Sequence, residues 1–412
     1  MLFKQFSIPF FLCSFIFSAA SSQVRTGLDN LVASKYSQLQ GKKTGFICNQ
    51  TSLTSDGEFS AKLFAKEKSF TLVALFSPEH GVFGERKAGV KSDSAENFEG
   101  VPIYSLYGAT RKPTKAMLKD ITVLVFDIQD IGVRPYTYLS TMIYAMEAAA
   151  ENKIEFIVLD RPNPLSGERI EGNIVDTSLL SFVGAVPVPY LHGMTLGELA
   201  KMAKGEKWFR GAVKLKLTVI EMTRWKRSMY WNETGLKWIA PSPNIPTFES
   251  AVGCAMLGAV GELGIVSVGI GSDLPFLRIG SKLVTPENVE QAVLSSLPKG
   301  ISARREDYTV PFGDSSKTFY GMKISLPKSI GNIDEIYGSE FRLLKKLLAD
   351  SVFSQSYKTL PFASRKMFEK VTGTHQLLKA FETGGDVGSV LASSKKDALR
   401  FRSLRKKYLA YQ

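Results

Sequence analysis

Short apolar segments suited to buried strands alternate with helix-like segments through the first half of the chain, and this alternation constrains the possible fold strongly. The strand-like segments are residues 44–48 (TGFIC), 71–76 (TLVALF), 121–128 (ITVLVFDI) and 156–160 (FIVLD). The helix-like segments are residues 60–68, 115–120 and 139–151. Nearly continuous Val, Ile, Leu and Phe is typical of strands that are buried on both faces of a parallel sheet. The pattern therefore predicts an α/β fold with right-handed crossovers.

The second half of the chain has a different pattern and indicates a second domain. Three prolines in residues 238–247 (WIAPSPNIPT) exclude a central strand or a helix interior, so this segment is a domain boundary, a cleft-lining loop or both. Beyond it, residues 319–326 alternate like a strand and residues 338–350 have a helical pattern. A chain of 412 residues is long enough for roughly two to three domains.

The N-terminal segment has the pattern of a secretory signal. Lys4 precedes an apolar run at residues 8–17 (IPFFLCSFIF), which is short for a membrane span. Small residues follow this run, and Ser18 and Ala20 are placed for cleavage after Ala20. We therefore expect residues 1–20 to be removed and the mature protein to be exported, periplasmic or extracellular, without stable membrane insertion. The alternative is a retained N-terminal anchor.

The charge balance and the missing motifs narrow the possible functions. Lys and Arg number 52 against 39 Asp and Glu, and the net charge of +13 favours an anionic partner. No G-x-G-x-x-G follows a strand, and the P-loop, H-E-x-x-H and G-x-S-x-G signatures do not occur. With only three histidines, His80, His192 and His375, a His-rich zinc site fits poorly. We expect no cofactor and no bound metal.

Polar side chains follow three of the predicted strands. They lie in residues 77–81 (SPEHG), 129–136 (QDIGVRPY) and 161–164 (RPNP). Ligands of open parallel sheets bind beyond the carboxyl ends of the strands, so these side chains are expected at one site. Cleavage of a glycosidic bond requires an acid for the leaving oxygen and a base or nucleophile, and carboxylates can supply both. The residues alone therefore make glycoside hydrolysis a reasonable hypothesis.

Longer motifs resemble a known family. FSPEHGVFGE, VLVFDIQDIGVRPYTYLSTM, FIVLDRPNPLSG, HGMTLGELA and TGLKWIAPSPNIPT are similar, in this order, to motifs of the NamZ-type exo-β-N-acetylmuramidases, formerly a domain family of unknown function. The resemblance implies a Rossmann-like parallel-sheet domain, a smaller α+β C-terminal domain and a cleft between them. We expect these domains at residues 25–250 and 251–412.

The resemblance also implies a reaction. The expected activity is that of an exo-acting glycoside hydrolase, which releases N-acetylmuramic acid from the non-reducing end of peptidoglycan fragments in cell-wall turnover or recycling. Its expected partners are muramyl saccharides, with no nucleic acid among them. One alternative is a catalytically weakened peptidoglycan-binding protein of the same fold. Another is a metal-dependent hydrolase whose ligands are Glu79, His80, Asp127 and His192.

Matching the motifs residue by residue implies the site residues. The expected catalytic residues are Glu79, His80 and Asp130, with Glu79 as the main catalytic carboxylate. The expected substrate-binding residues are Asp127, Gln129, Arg134, Tyr136, Tyr138, Arg161, Asn163, His192 and Asn244. Several of these have a structural alternative, such as anchoring a strand end or shaping a turn. The second carboxylate stays open among Asp130, Asp127, Glu171 and Glu249.

The second domain departs from the family pattern. Ile265 and Ile270 occupy positions where the family carries Asn and Arg. An arginine there would pair with the lactyl carboxylate of muramic acid at two points. We therefore expect weaker discrimination between N-acetylmuramic acid and N-acetylglucosamine, with Arg278 and Lys282 as candidate replacements for the missing cation.

Overall fold

The computed structural model describes residues 23–84 and 96–412. The predicted signal segment, residues 1–20, lies outside the described residues. Within them, none of the helices combines the length and the apolar character needed to cross a lipid bilayer.

A mainly parallel sheet organises the first half of the chain, and its seven described strands have the order β3-β4-β2-β1-β5-β6-β7. The strands are β1 (Lys43–Cys48), β2 (Thr71–Ser77), β3 (Glu96–Phe98), β4 (Val101–Ser105), β5 (Val123–Asp127), β6 (Glu155–Leu159) and β7 (Leu217–Ile220). Only β3, at one edge of this described sheet, pairs antiparallel. The accompanying helices are α1 (Gly27–Ala33), α2 (Ser60–Lys66), α3 (Tyr138–Glu151) and α4 (Leu196–Gly205). The predicted α/β class is confirmed.

The burial of the central strands explains their apolar sequences. Every residue of β5, from Val123 to Asp127, is fully buried, because helices or loops cover both faces of the sheet. Apolar side chains of α3, including Met142 and Met146, pack in the same core as Phe126. The helix predicted at residues 115–120 is wrong, since these residues form turns. Six residues make fewer than two helical turns, which do not offset the cost of helix nucleation.

The strand order locates the site. From β1 the chain moves outward through β2 to β4, and from β5 it moves the other way through β6 to β7. This reversal between β1 and β5 leaves a crevice beyond their carboxyl ends, where ligands of such sheets bind. The segments that carry the predicted polar residues follow β2, β5 and β6, the strands in and beside this crevice.

The second half combines helices with an antiparallel sheet, as predicted. Its elements are α5 (Phe248–Gly261), β8 (Arg278–Ser281), α6 (Pro286–Leu294), β9 (Ser302–Arg305), β10 (Tyr308–Phe312), β11 (Ser315–Ser325), α7 (Ser339–Leu347), α8 (Ser351–Lys358), α9 (Phe362–Thr372), α10 (His375–Thr383) and α11 (Val387–Arg405). The strand β11 pairs with β8, β9 and β10. One apolar core joins both halves, with Ile131 and Tyr190 packed alongside Met256 of α5 and Phe341 of α7.

Candidate active site

A cleft of about 470 Å³ lies at the carboxyl edge of the parallel sheet and is lined by both halves of the chain. The segments after β2 and β5 supply one part of its lining, and the proline-rich segment supplies Ser242, Asn244 and Ile245. The helix α5, the segment after it and α9 supply a third part, and the rest comes from Tyr107, after β4, and from Val183 and Tyr190, between β6 and α4. The volume lies in the range of small-ligand sites. The proline-rich segment therefore lines a cleft, one of the two roles predicted for it.

Glu79 lies directly beyond β2, is half-buried and lines the cleft. Its Oε2 atom accepts a 2.9 Å hydrogen bond from the hydroxyl of Thr137, the N-cap residue of α3. The Thr137 side chain makes no capping bond to its own helix. A helix N-terminus carries partial positive charge, so α3 and the Thr137 hydroxyl both interact favourably with negative charge on this carboxylate.

His80 adopts a left-handed backbone conformation, with φ of 72°, and Gly81 follows at 81°. A bulky non-glycine residue in this region is strained by about 1–3 kcal/mol and persists only where the surrounding structure holds it there. The His80 side chain is largely buried and lines the cleft beside Glu79. The turn thus directs two consecutive side chains into the same cleft.

Tyrosines form one wall of the cleft. The rings of Tyr136 and Tyr138 meet edge to face with centroids 4.8 Å apart, and the Tyr138 hydroxyl donates to the carbonyl of Pro241. Burial raises the pKa of both hydroxyls well above the ordinary tyrosine value, so both keep their protons. Burial, reinforced by the charge of Glu79, also raises the pKa of Tyr107 to about 12. These neutral hydroxyls suit hydrogen bonding to sugar hydroxyls.

Asp130 lies behind this wall and does not line the cleft. Its Oδ2 atom accepts a 2.7 Å hydrogen bond from the N–H of Gly132, and its buried Oδ1 atom has no hydrogen-bond partner among the described residues. Burial raises the pKa of Asp130 to about 7, although the backbone N–H groups of Gly132 and Ile131 oppose the rise. The carboxyl thus titrates near neutral pH close to the tyrosine wall.

Asp127 and Arg161 pair with each other outside the cleft. Arg161 donates from Nε to Asp127 Oδ1 at 2.5 Å and from Nη2 to Oδ2 at 2.9 Å, and it also binds the carbonyl of Leu53. Burial raises the pKa of Asp127 above the ordinary aspartate value, although the Arg161 guanidinium opposes the rise. Because Asp127 is the last residue of β5 and is fully buried, the pair anchors the strand end.

Gln129 and Asn163 use their side chains to bind backbone carbonyls. The Gln129 amide donates to Asp130 and Pro162 at 2.7 and 2.8 Å, and the Asn163 amide donates to Met194 at 3.0 Å. Both side chains are buried, and neither lines the cleft. These hydrogen bonds connect the loops that follow β5 and β6 and hold the backbone next to the cleft in place.

Arg134 is fully buried and links the two halves of the chain. Its guanidinium donates to the carbonyls of Asn173 and Val188 at 2.9 Å each and to that of Val371, in α9, at 2.7 Å. Burial lowers its pKa to about 10, so it stays charged at neutral pH. It does not line the cleft.

His192 is also buried away from the cleft lining. Its Nδ1 atom accepts a 3.2 Å hydrogen bond from the N–H of Met194. Burial lowers its pKa to about 3, and the positive charges of Arg405 and Arg134 add to the effect. The imidazole is therefore neutral under physiological conditions.

Asn244 and Ile270 do line the cleft. Ile270 is 45% exposed, so an apolar side chain is open to solvent and ligand at this position. Ile265 packs against the core of the second half and does not contribute to the lining. Of the two departures from the family pattern, only the one at Ile270 therefore changes the surface of the cleft.

Arg278 and Lys282, the candidate replacements for the missing cation, do not line the cleft. Arg278 forms ion pairs with Asp273 and with Glu306, the latter at 2.8 Å. Lys282 is exposed and also lies outside the lining. Among the described residues that line the cleft there is no lysine or arginine.

The predicted site residues did not include several residues that line the cleft, among them Tyr107, Thr137 and Glu262. Thr137 lies between two predicted residues and could have been found as the polar residue ahead of a helix. Tyr107, after β4, and Glu262, after α5, lie outside the segments that follow the predicted strands. They reach the cleft because the fold brings these segments to the carboxyl edge of the sheet.

The residues named for a metal site are not assembled into one. Asp127 pairs with Arg161, and the Nδ1 atom of His192 accepts a backbone hydrogen bond. Within residues 23–84 and 96–412, no group of three or more His, Cys, Asp or Glu side chains is placed to hold a metal ion.

Comparisons with known proteins agree with the geometry. The models of the N-terminal and C-terminal parts of exo-β-N-acetylmuramidase NamZ match residues 44–249 and 255–411. The chain belongs to the NamZ family. The peptidoglycan β-N-acetylmuramidase NamZ of Bacillus subtilis strain 168 is 38% identical over 400 residues, which cover 96% of this chain and 93% of that relative. The resemblance seen in the sequence motifs is confirmed, and membership of the NamZ family makes this chain a glycoside hydrolase of the muramidase class.

Solved structures show the same NamZ-family fold. A DUF1343 family protein of Bacteroides fragilis aligns with a TM-score of 0.87 and 36% identity. A second DUF1343 family protein of that organism aligns with a TM-score of 0.70 and 28% identity. Each alignment covers 95% of this chain and 99% of the other.

Proposed function

We propose that this chain is an exo-β-N-acetylmuramidase, which removes N-acetylmuramic acid from the non-reducing end of peptidoglycan fragments. The observation that carries the proposal is the position of Glu79, bound by the Thr137 hydroxyl, in a cleft lined by both halves of a NamZ-family chain. A fixed carboxylate among neutral tyrosine hydroxyls suits cleavage of a glycosidic bond, which carboxylates perform in most such enzymes. His80 and Asn244 line the same cleft and would contact the sugar.

The charge of the chain supports this substrate. Peptidoglycan fragments carry carboxylates on muramic acid and on their peptides, and the net charge of +13 attracts such polyanions to the protein. This long-range attraction increases the rate at which the substrate and the protein meet. The local recognition of the lactyl carboxylate is a separate question, because the described lining contains no cation.

The test is product analysis with the disaccharide in which N-acetylmuramic acid is linked to N-acetylglucosamine. Mass spectrometry after incubation should show the two free sugars with the parent protein and intact disaccharide with Glu79→Gln. Intact disaccharide after prolonged incubation with the parent protein would contradict the proposal.

A second candidate function rests on Ile270. An exposed isoleucine in the cleft, where the family carries arginine, fits a peptidoglycan-binding protein with weakened catalysis. Calorimetric binding of the disaccharide without turnover would favour this function. Turnover by the parent protein would exclude it.

We also propose that the protein is exported to the periplasm or beyond the cell. The apolar run of residues 8–17, followed by Ser18 and Ala20, supports this proposal. N-terminal sequencing of the native protein should begin at Ser21. A native protein that retains Met1 and stays in the cytoplasmic fraction would overturn it.

A further inference from the structure

A second carboxylate, Glu262, lines the same cleft as Glu79. Glu262 is the C-cap residue of α5 and belongs to the second half of the chain, whereas Glu79 belongs to the first. Its carboxylate makes no hydrogen bond or ion pair with any described residue. The residue is partly open to solvent, but enough protein surrounds the carboxyl to affect its ionisation.

The two carboxylates lie at helix ends of opposite polarity. Glu79 binds the N-cap residue of α3, and Glu262 terminates α5, each a helix of 14 residues. The N-terminus of a helix favours negative charge and the C-terminus disfavours it. Two carboxyl groups in one site whose surroundings differ in this way are suited to divide the roles of acid and base.

Other features of the cleft also favour the protonated form of Glu262. Burial raises its pKa above the ordinary glutamate value. Its carboxyl also lies near the Cys254 thiol. Burial raises the pKa of this thiol, so the neighbour is uncharged and does not compensate a negative charge on Glu262. No lysine or arginine in the described lining compensates a second negative charge beside Glu79. A neutral Glu262 would also repel an anionic muramyl substrate less than an ionised one.

We infer that Glu262 is the general acid of the reaction and that Glu79 is the carboxylate that faces the sugar carbon. This inference rests on the proposed function. The Glu262 carboxyl gives its proton to the glycosidic oxygen as the bond from that oxygen to C1 breaks, and the bonding pair stays on the leaving oxygen. Glu79 stabilises the positive charge that develops at C1. One water is consumed: its OH remains on C1, and its other proton returns to the Glu262 carboxylate, which is then ready for the next turnover.

The carboxylates named from the sequence are placed less well for this role. Asp127 is paired with Arg161 and fully buried, and Asp130 lies behind the tyrosine wall. Glu171 pairs with Arg169 outside the cleft. Glu249 lies in the first turn of α5, about 20 Å along the helix from Glu262 at 1.5 Å per residue.

The experiment compares two substrates that differ in how much they need an acid. The muramyl disaccharide has a poor leaving group, and 2,4-dinitrophenyl N-acetylmuraminide has a leaving group that departs without protonation. Glu262→Gln should lower kcat/KM for the disaccharide ~10²- to 10⁴-fold, the usual cost of a lost general acid, and that for the dinitrophenyl glycoside less than about tenfold. Glu79→Gln should impair both substrates.

The matched control is Glu249→Gln, which makes the same chemical change on the same helix outside the cleft and should leave both rates within about twofold of the parent, in line with surface substitutions. Asp130→Asn tests the nearest competitor. A selective loss on the disaccharide in Asp130→Asn, with parent rates in Glu262→Gln, would overturn the inference while leaving the proposed function intact. Equal losses on both substrates in Glu262→Gln would also overturn it. An inactive parent protein would overturn both proposals.

The pH profile supplies a second readout. Besides Glu262, the titratable groups that line the cleft are Glu79, His80, Tyr107, Tyr136, Tyr138, Tyr190 and Cys254. The pKa values of the four tyrosines and of Cys254 are raised, so these groups keep their protons through neutral pH. The activity on the disaccharide should fall on the alkaline side as Glu262 loses its proton, and Glu262→Gln should remove that limb. A limb that persists in Glu262→Gln would overturn the assignment.

Discussion

The hydroxyl of Thr137 donates a 2.9 Å hydrogen bond to Glu79 Oε2, although Thr137 is the N-cap residue of α3. N-cap hydroxyls ordinarily accept a bond from the helix backbone, which stabilises a protein by about 0.5–2 kcal/mol. Thr137 makes no such bond. The Thr137 hydroxyl therefore orients the Glu79 carboxylate, and it connects the start of α3 with the loop after β2.

Thr137→Val should lower turnover more than it lowers stability. A hydrogen bond to a charged group contributes about 1.5–3 kcal/mol, which corresponds to a loss of roughly 10- to 150-fold in kcat if the bond positions Glu79 for the reaction. Urea unfolding should change little, because no capping bond is lost. The matched control is Thr285→Val, since Thr285 does cap α6 through the N–H of Asn288. It should lose stability and keep its kcat, and a reversed pattern would contradict the assignment.

Glu79→Gln should reduce turnover of the muramyl disaccharide ~10²- to 10³-fold, the usual cost of removing a group that stabilises charge in the transition state. The variant keeps the shape of the side chain, so circular dichroism and the urea midpoint should match the parent. Glu99→Gln, an exposed position in the turn between β3 and β4, is the control and should keep full activity. Near-parental turnover by a folded Glu79→Gln variant would remove Glu79 from the mechanism.

Arg134→Met should destabilise the fold and leave KM of the remaining folded enzyme nearly unchanged. The substitution removes the donor of three buried carbonyls, including that of Val371 in α9, and an unpaired buried group costs about 1–3 kcal/mol. Urea unfolding should show the loss, and Arg400→Met on the exposed face of α11 should not. The sequence interpretation expected the opposite, a weakened substrate complex. A large rise in KM at unchanged stability would support that interpretation.

His192 should make the fold sensitive to mild acid. Because burial lowers its pKa from 6.5 to about 3, the unfolded chain binds a proton between these values that the folded chain does not. Its contribution is complete above pH 6.5 and decreases as the pH falls, by roughly 2 kcal/mol at pH 5. The raised pKa of Asp130 acts in the opposite direction. The measurement is therefore the difference between parent and His192→Asn in urea unfolding at pH 7.5 and pH 5, and equal losses in both would contradict it.

Ile270→Arg should increase selectivity for muramic acid. Ile270 is exposed in the cleft, and the described lining offers the lactyl carboxylate no cation. A new charge-assisted hydrogen bond contributes about 1.5–3 kcal/mol, or roughly 10- to 150-fold in the ratio of kcat/KM for the N-acetylmuraminide to that for the N-acetylglucosaminide. Ile270→Gln, of similar length without charge, is the control. An unchanged ratio in a parent that already prefers muramic acid would place the recognition of the carboxylate elsewhere.

The apolar pattern of the chain is enough to predict the fold class and the strands that form the crevice. The strands predicted at residues 44–48 and 71–76 lie within β1 and β2, and the one predicted at residues 156–160 extends one residue beyond β6. A continuous apolar segment forms a strand here because both faces of the sheet are covered. The predicted third strand contains β5. The short helix at residues 115–120 was wrong, since local propensity alone does not stabilise so few residues.

The roles of the polar residues at the strand ends depended on the tertiary structure. Glu79 and Arg134 both follow buried strands, yet one lines the cleft and the other binds three carbonyls inside the protein. Sequence shows which residues leave a strand at the crevice, but not which partners from distant segments surround them. Glu262 reaches the cleft only because α5 packs in one apolar core with Ile131 and Val133 of the loop after β5, a contact between residues far apart in the chain. Burial and partners depend on such long-range contacts, and they decide which carboxylates are free to act.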